Sequence, residues 1–195
     1  MIRAIRGPVL AHEPEGPVIE VGGLGVLVRV SATTAATLPA TGSVAALHTV
    51  LVVREESLDL YGFATADERG LFEAFTGVSG VGPRLALAIC GLDRPDELRL
   101  ALARGDSARL QAASGVGKRT AERVVLELRD RVGALNGAAA GAAEGSGAGQ
   151  YISARDGLVA LGFTADEADA ALADAPPGLE AEGLVRHGLA RLRRP

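Results

Sequence analysis

The chain writes one pattern twice: SGVGPRLALAI at residues 79–89 and SGVGKRTAERV at 114–124, a repeat of S-G-V-G-x-R-x-A offset by thirty-five positions. Few features limit a fold so tightly. Gly80 and Gly82 in the first copy, and Gly115 and Gly117 in the second, let the backbone turn sharply and approach another surface with no Cβ in the way. Val81 and Val116 between them are placed to point inward as plugs. A helical pattern follows each turn, so unpaired N–H groups and a positive dipole end face whatever lies in front. Arg84, and Lys118 with Arg119, fall in that first turn, where a cation is unfavourable to the helix itself. An external anion would offset the cost. Pro83 suits the first helical position, since its φ is fixed and its missing N–H would have no partner there.

Gly-rich turns join helices in many proteins, and one G-V-G by itself says little. Two copies with matching flanks say more. An apolar helix, a hairpin, a cation and a second apolar helix, repeated, make a tandem helix-hairpin-helix unit. Two such hairpins related by a pseudo-two-fold can hold phosphates on both sides of a minor groove without reading bases. Binding of that kind is sequence-independent and steeply salt-dependent. The candidate DNA-binding set is Ser79, Gly80, Val81, Gly82 and Arg84 with Ser114, Gly115, Val116, Gly117, Lys118, Arg119 and Arg123.

Charge must be read by segment, because the whole chain carries a formal −4. Residues 1–63 hold four Arg against six acids, residues 64–135 eleven Lys/Arg against ten acids, and residues 136–195 five Arg against eight acids. Only the middle segment leans basic, and it contains both repeats. Its excess is small, so affinity for phosphate rests on where the cations sit. Aromatic residues make up 3% of the chain, with no Trp, which argues against a surface that stacks single-stranded bases. Duplex phosphate is the better match.

The first sixty residues alternate with a period of two over IRAIRGPVL, PVIEVGG, GVLVRVS, SVAALHTVLVV and SLDLYGF, with TTAATLP as one short helix. Five strands at this spacing suggest a small closed barrel of the OB type. From Thr65 the period becomes 3.6, through DERGLFEAF, PRLALAI, PDELRLALARG, SARLQAA and KRTAERVVLELRDRV. NGAAAGAAEGSGAG, residues 136–149, has five glycines in fourteen positions and reads as a flexible linker spanning roughly 20 Å. Beyond it, YISARDGLVALGF, TADEADAALAD with a Thr164/Glu167 capping box, and LEAEGLVRHGLARL predict a three-helix bundle. A module this small, with no catalytic constellation of its own, reads as a docking module. The fold class is therefore α+β and multidomain: an OB-like barrel over 1–63, an all-α tandem-hairpin domain over 64–135, the linker over 136–149, and a three-helix domain over 150–195.

Several chemistries are excluded. A P-loop fails because Ala112 stands where the first Gly belongs and Arg119 where the hydroxyl belongs; a dinucleotide fingerprint fails because Leu85 occupies the third Gly position. The one cysteine, Cys90, permits neither an internal disulfide nor a cysteine metal cage, and the three histidines lack ligand spacing. No metal or cofactor is expected. Apolar runs fall short of a membrane span and the N-terminus lacks a signal-peptide core, so a cytoplasmic, nucleoid-associated protein is expected.

The stretches LVVREESLDLYGF, LFEAFTGVSGVGPRLALAI, ASGVGKRTAERVVLELRDR and GLVALGFTADEA, in that order, cover nearly the whole chain and resemble the RuvA family, the Holliday-junction-recognition subunits of bacterial branch-migration complexes. The resemblance implies a non-catalytic protein of homologous recombination and repair that binds four-way junction DNA as a homotetramer, or as two tetramers. It implies RuvB as partner, a hexameric ATPase that uses the ATP and Mg, and allows the RuvC resolvase as another. It makes Glu55 and Glu56 an acidic pin near the junction centre, where REES alone would read as a solvated hairpin tip. Members often have Glu-Asp there; Glu-Glu keeps the charge and adds a methylene. It assigns Leu158, Leu161 and Phe163 to the motor contact, although their spacing equally suits a core. Lys118 is the chain's only lysine, and Arg84 and Arg119 stand where the family frequently has lysine.

Two readings from other classes compete. SGVGKRTAERVV also resembles the hairpin of helix-hairpin-helix DNA glycosylases, but their catalytic Asp would fall some twenty residues downstream, where this chain has Leu135 and the linker. A nuclease would need convergent carboxylates for a metal. A duplex scaffold without junction preference stays open on residues alone.

Overall fold

A computed structural model describes residues 2–129, 147–176 and 178–192. Six strands, β1 (Ala4–Glu13), β2 (Gly16–Val21), β3 (Leu24–Leu27), β4 (Arg29–Val30), β5 (Val44–Val53) and β6 (Leu58–Phe63), form one sheet in the order β3-β2-β1-β5-β6-β4. The run predicted as a single third strand is broken at Val28. Its first half pairs antiparallel with β2 and its second pairs parallel with β6, Arg29 opposite Tyr61, so the sheet closes into a barrel. Val28 at the break is fully buried and donates its N–H to the Pro17 carbonyl at 2.9 Å. Ile5, Val9, Ile19, Ala45, Leu47 and Leu60 fill the barrel with it. The predicted short helix, α1, is confined to Ala32–Ala35, capped by Ser31, whose hydroxyl accepts from the Thr34 N–H.

The helical region holds α2 (Ala66–Thr76), α3 (Pro83–Cys90), α4 (Pro95–Ala103), α5 (Ser107–Leu110) and α6 (Lys118–Leu128). The change of period at Thr65 marks a change of element type but not of core. Phe72 of α2 stacks against Tyr61 at 5.0 Å and Phe63 at 4.9 Å, both from β6, and one apolar cluster runs from Val50 of the barrel to Leu128. Cys90 is buried in it, and burial, with the Glu68 charge as a smaller cause, pushes its thiol well up from the ordinary range. It is a core thiol, as expected.

The C-terminal helices are α7 (Gly147–Ala160), α8 (Ala165–Leu172) and α9 (Ala181–Leu192), packed around Tyr151, Ala154, Leu158, Ala168, Leu172 and Leu184. α7 starts at Gly147, within the last three positions of the segment read as linker. Residues 136–146 lie outside the described residues. The bundle does not stand apart from the hairpin domain. Ala103 of α4 is part of its core, the Arg104 guanidinium lies 5.5 Å over the Tyr151 ring, and Arg129 pairs with Asp169. Asp169 also takes Arg155 at 3.1 Å and accepts from the Tyr151 hydroxyl at 3.2 Å. Burial first, and Asp169 second, push the Tyr151 hydroxyl up to about 12. Periodicity did not reveal this docking, since Arg129 and Asp169 are forty residues apart.

Two outcomes follow from these contacts. Arg129→Glu, which sets a carboxylate against Asp169, is expected to release the bundle and raise the radius of gyration measured by solution scattering. On the barrel, the Arg29 guanidinium, 3.1 Å from Asp59, holds that carboxyl below its usual range. A depressed pKa contributes stability that is present above the unfolded value near 4 and is lost as pH falls through the folded one. Asp59→Asn should therefore lower the thermal midpoint at pH 7, and the gap from wild type should close in acid.

Candidate nucleic-acid interface

The two hairpins superimpose in their local chemistry. Gly80 has φ +85° and Gly115 φ +82°, a left-handed conformation open to glycine, while Gly82 and Gly117 cap α3 and α6 with φ/ψ of −81°/168° and −82°/166°. Val81 donates its N–H to the Val78 carbonyl and Val116 to the Ala113 carbonyl, both at 3.0 Å. The valines are 5% and 6% exposed, the plugs that the repeat predicted.

The hairpins also brace one another. Arg123, on the helix that follows the second hairpin, donates from Nη1 to the Ser79 carbonyl of the first at 3.0 Å. In return, Leu85 from the helix after the first hairpin lies against the second, where a Cβ on Gly115 would meet its Cδ2 at 2.9 Å. The two turns are thus one surface. Ser79, Gly80, Gly82, Arg84, Ser114, Gly115, Gly117, Lys118, Arg119 and Arg123 are all exposed on it. Neither helix has a side-chain N-cap, so the N–H groups of Arg84 and Leu85, and of Lys118, Arg119 and Thr120, have no intrahelical partner. Among the described residues only Glu122, 3.9 Å from Lys118, opposes the cations, in an exposed pair of little strength. Fixed donors, a positive dipole end and outward cations give each turn the chemistry that suits an anion.

Glu55 and Glu56 occupy the exposed turn between β5 and β6, closed by the Arg54 N–H donating to the Ser57 carbonyl at 2.9 Å. Val53 and Leu58 pair at the end of the ladder just before it. Among the described residues neither glutamate has an ion-pair partner, whereas Arg54 turns toward Asp59 at 4.0 Å. A pair of uncompensated carboxylates therefore tops the hairpin.

Base stacking has no platform. Tyr61, Phe63, Phe72, Phe75 and Tyr151 are each at most 1% exposed, and Phe163 packs partly buried on the C-terminal core. Among the described residues there is also no group of His, Cys, Asp and Glu able to hold a metal, and no helix long and apolar enough to cross a membrane. Of the residues expected at the motor contact, Leu158 is fully buried in the bundle core. Leu161 is 61% exposed and Val159 42% exposed, so they carry the accessible apolar surface there.

Comparison with known proteins agrees with this geometry. The family model described as RuvA N terminal domain matches residues 1–62, that of a SAM-like helix-hairpin-helix tandem matches 72–130, and that of the RuvA C-terminal domain matches 153–193. A Holliday junction branch migration complex subunit RuvA of Rubrobacter xylanophilus is 43% identical over 98% of both chains. The chain belongs to the RuvA family. Its RuvA relatives from Chloroflexus aggregans and Streptomyces coelicolor are 45% and 46% identical, over 92% and 94% of this chain and 93% and 90% of their own.

The four hairpin glycines separate folding from binding. Gly80→Ala and Gly115→Ala force a side chain into the left-handed region and should each cost about 1–2 kcal/mol in urea denaturation. Gly82→Ala and Gly117→Ala, with no atom within 4 Å of the added Cβ, should cost less stability while weakening DNA binding by holding phosphate off the turn.

Proposed function

We propose that this chain binds four-way junction DNA without regard to sequence, holds the junction open, and serves as the DNA-recognition subunit of a branch-migration complex. The observation that carries the reading is the braced pair of hairpins with matching backbone geometry and outward cations, on a protein whose Phe and Tyr rings are buried or partly buried. The names of its relatives as Holliday junction branch migration complex subunits support it.

Each hairpin takes a phosphate through helix N–H groups and Arg84 or Lys118 and Arg119. A single pair of hairpins grips one duplex arm. Four copies around a fourfold axis would grip four arms and bring four Glu55–Glu56 tips together at the centre. Those carboxylates repel phosphates crowded at the crossover, keep the arms apart and guide strands as pairs open and reform. The reading gives the chain no catalytic site and no cofactor. ATP and Mg are used by its motor partner, the RuvB hexamer, which docks on the C-terminal bundle through the surface around Leu161. The RuvC resolvase is a further partner, acting on the junction held open, and a second tetramer could close over the free face.

Lys118→Ala combined with Arg119→Ala is expected to weaken junction binding at least tenfold at moderate salt. The slope of log K against log salt should flatten by about two, one per lost phosphate contact. Affinity and slope near wild type would reject the hairpin assignment. Glu55→Gln with Glu56→Gln should leave binding equal or tighter while changing migration rate in the presence of the motor. An unchanged rate would reject the pin.

A further inference from the structure

The tetrapeptide TADE occurs twice, at 65–68 opening α2 and at 164–167 opening α8. Each threonine is extended and accepts from the backbone N–H of the glutamate three residues on, at 3.1 Å for Thr65 and 3.3 Å for Thr164. There the likeness ends. Glu167 is exposed, folds back and accepts from the Thr164 N–H at 2.8 Å, completing a capping box. Glu68 abandons that local bond and is only 2% exposed. It accepts from the hydroxyl of Ser31 and, at 2.6 Å, from that of Thr34, both at the barrel's α1. Thr34 in turn accepts from the Ala64 N–H at 2.9 Å. The same four residues thus serve as a solvent-facing cap in one place and an interdomain clasp in the other.

Burying a carboxylate is costly, and an apolar residue of similar volume is often neutral or better for stability. Hydrogen bonds differ from the surrounding apolar seam in being directional. Here their direction matters for DNA. Glu68 holds α1, and α1 abuts the end of α3: Thr33 donates to the Cys90 carbonyl at 3.0 Å, and a Cβ on Gly91 would meet the Ala32 nitrogen at 3.1 Å. The other end of α3 is the first hairpin. The barrel, at whose β5–β6 turn Glu55 and Glu56 lie, is thereby clasped to the helix that presents Gly82 and Arg84.

We infer that Glu68 is a positioning residue that fixes the acidic tip relative to the hairpins and so sets discrimination between a four-way junction and a linear duplex. The inference rests on the proposed function above. Duplex binding needs only the hairpins, whereas a junction needs hairpins and tips in one fixed relation.

The test compares wild type, Glu68→Met and Glu68→Gln in the full chain. It reads the thermal midpoint, the affinity for a linear duplex and the affinity for a four-way junction of the same arms. Glu68→Met leaves the buried Ser31 and Thr34 hydroxyls without their acceptor and should lower the midpoint, yet hold duplex affinity within about twofold while losing most of the junction preference, by tenfold or more. Glu68→Gln, which can still meet both hydroxyls, should recover most of that preference. A merely structural role predicts instead that the midpoint and both affinities fall together, and that result, or an unchanged preference in folded Glu68→Met, overturns the inference. If Glu68→Met fails to fold, Ser31→Ala, which removes one donor, is read by the same three measurements with the same criteria. A wild-type chain with no junction preference would overturn the function on which the inference rests, a failure visible before any variant is made.

Discussion

Phe72, stacked between Tyr61 and Phe63, is the contact on which the rest of the molecule depends. It joins the barrel wall to the first helix of the hairpin domain. Around it Phe75, Leu71, Val50, Ile89 and Cys90 make one core out of what the chain order presents as two domains. Burying rings of this size contributes a few kcal/mol each, enough to hold the two parts together. The acidic turn and the hairpins thus share one core, and the directional bonds of Glu68 set their relation within it. The same burial explains why a protein with a barrel of the OB type has no ring left for bases: its aromatics are spent on its own seam.

Within that body the repeat does its work through backbone geometry. Left-handed Gly80 and Gly115 turn the chain, the valines after them anchor it, and the glycines at the caps leave helix N–H groups facing outward. Cross-bracing by Arg123 and Leu85 keeps the two turns in a constant relation. Arg123 was legible as a cation beside the hairpin, but its hydrogen bond to the Ser79 carbonyl was not, because the partner lies forty-four residues away. A surface fixed in this way can recognise the spacing of phosphates without touching a base edge.

Periodicity and turn chemistry carried the local elements well. Alternation found the strands, Thr164 with Glu167 announced a true capping box, and the doubled S-G-V-G announced two turns of matching geometry. What local pattern does not carry is set by tertiary contacts. At Thr65 and Glu68, a TADE tetrapeptide like that at 164–167, the glutamate serves the barrel. Leu158 sits at a spacing that suits either a core or a partner contact, and the bundle uses it as core. The docking of the C-terminal helices on α4 depends on Ala103, Arg104, Arg129 and Asp169, which only the folded chain brings together. Net charge was the least informative quantity, since an acidic chain still sets Arg84, Lys118, Arg119 and Arg123 exposed around the two hairpins.

The proposed function places affinity in the hairpins and selectivity for a crossover in how several hairpin pairs and acidic tips are arranged. The most direct measurement is a competition gel shift of the wild-type chain at moderate salt, between a synthetic four-way junction and linear duplexes with the same arm sequences and total length. Strong preference for the junction is the predicted result. Equal binding to junction and duplex would contradict the account and leave a sequence-independent duplex scaffold in its place.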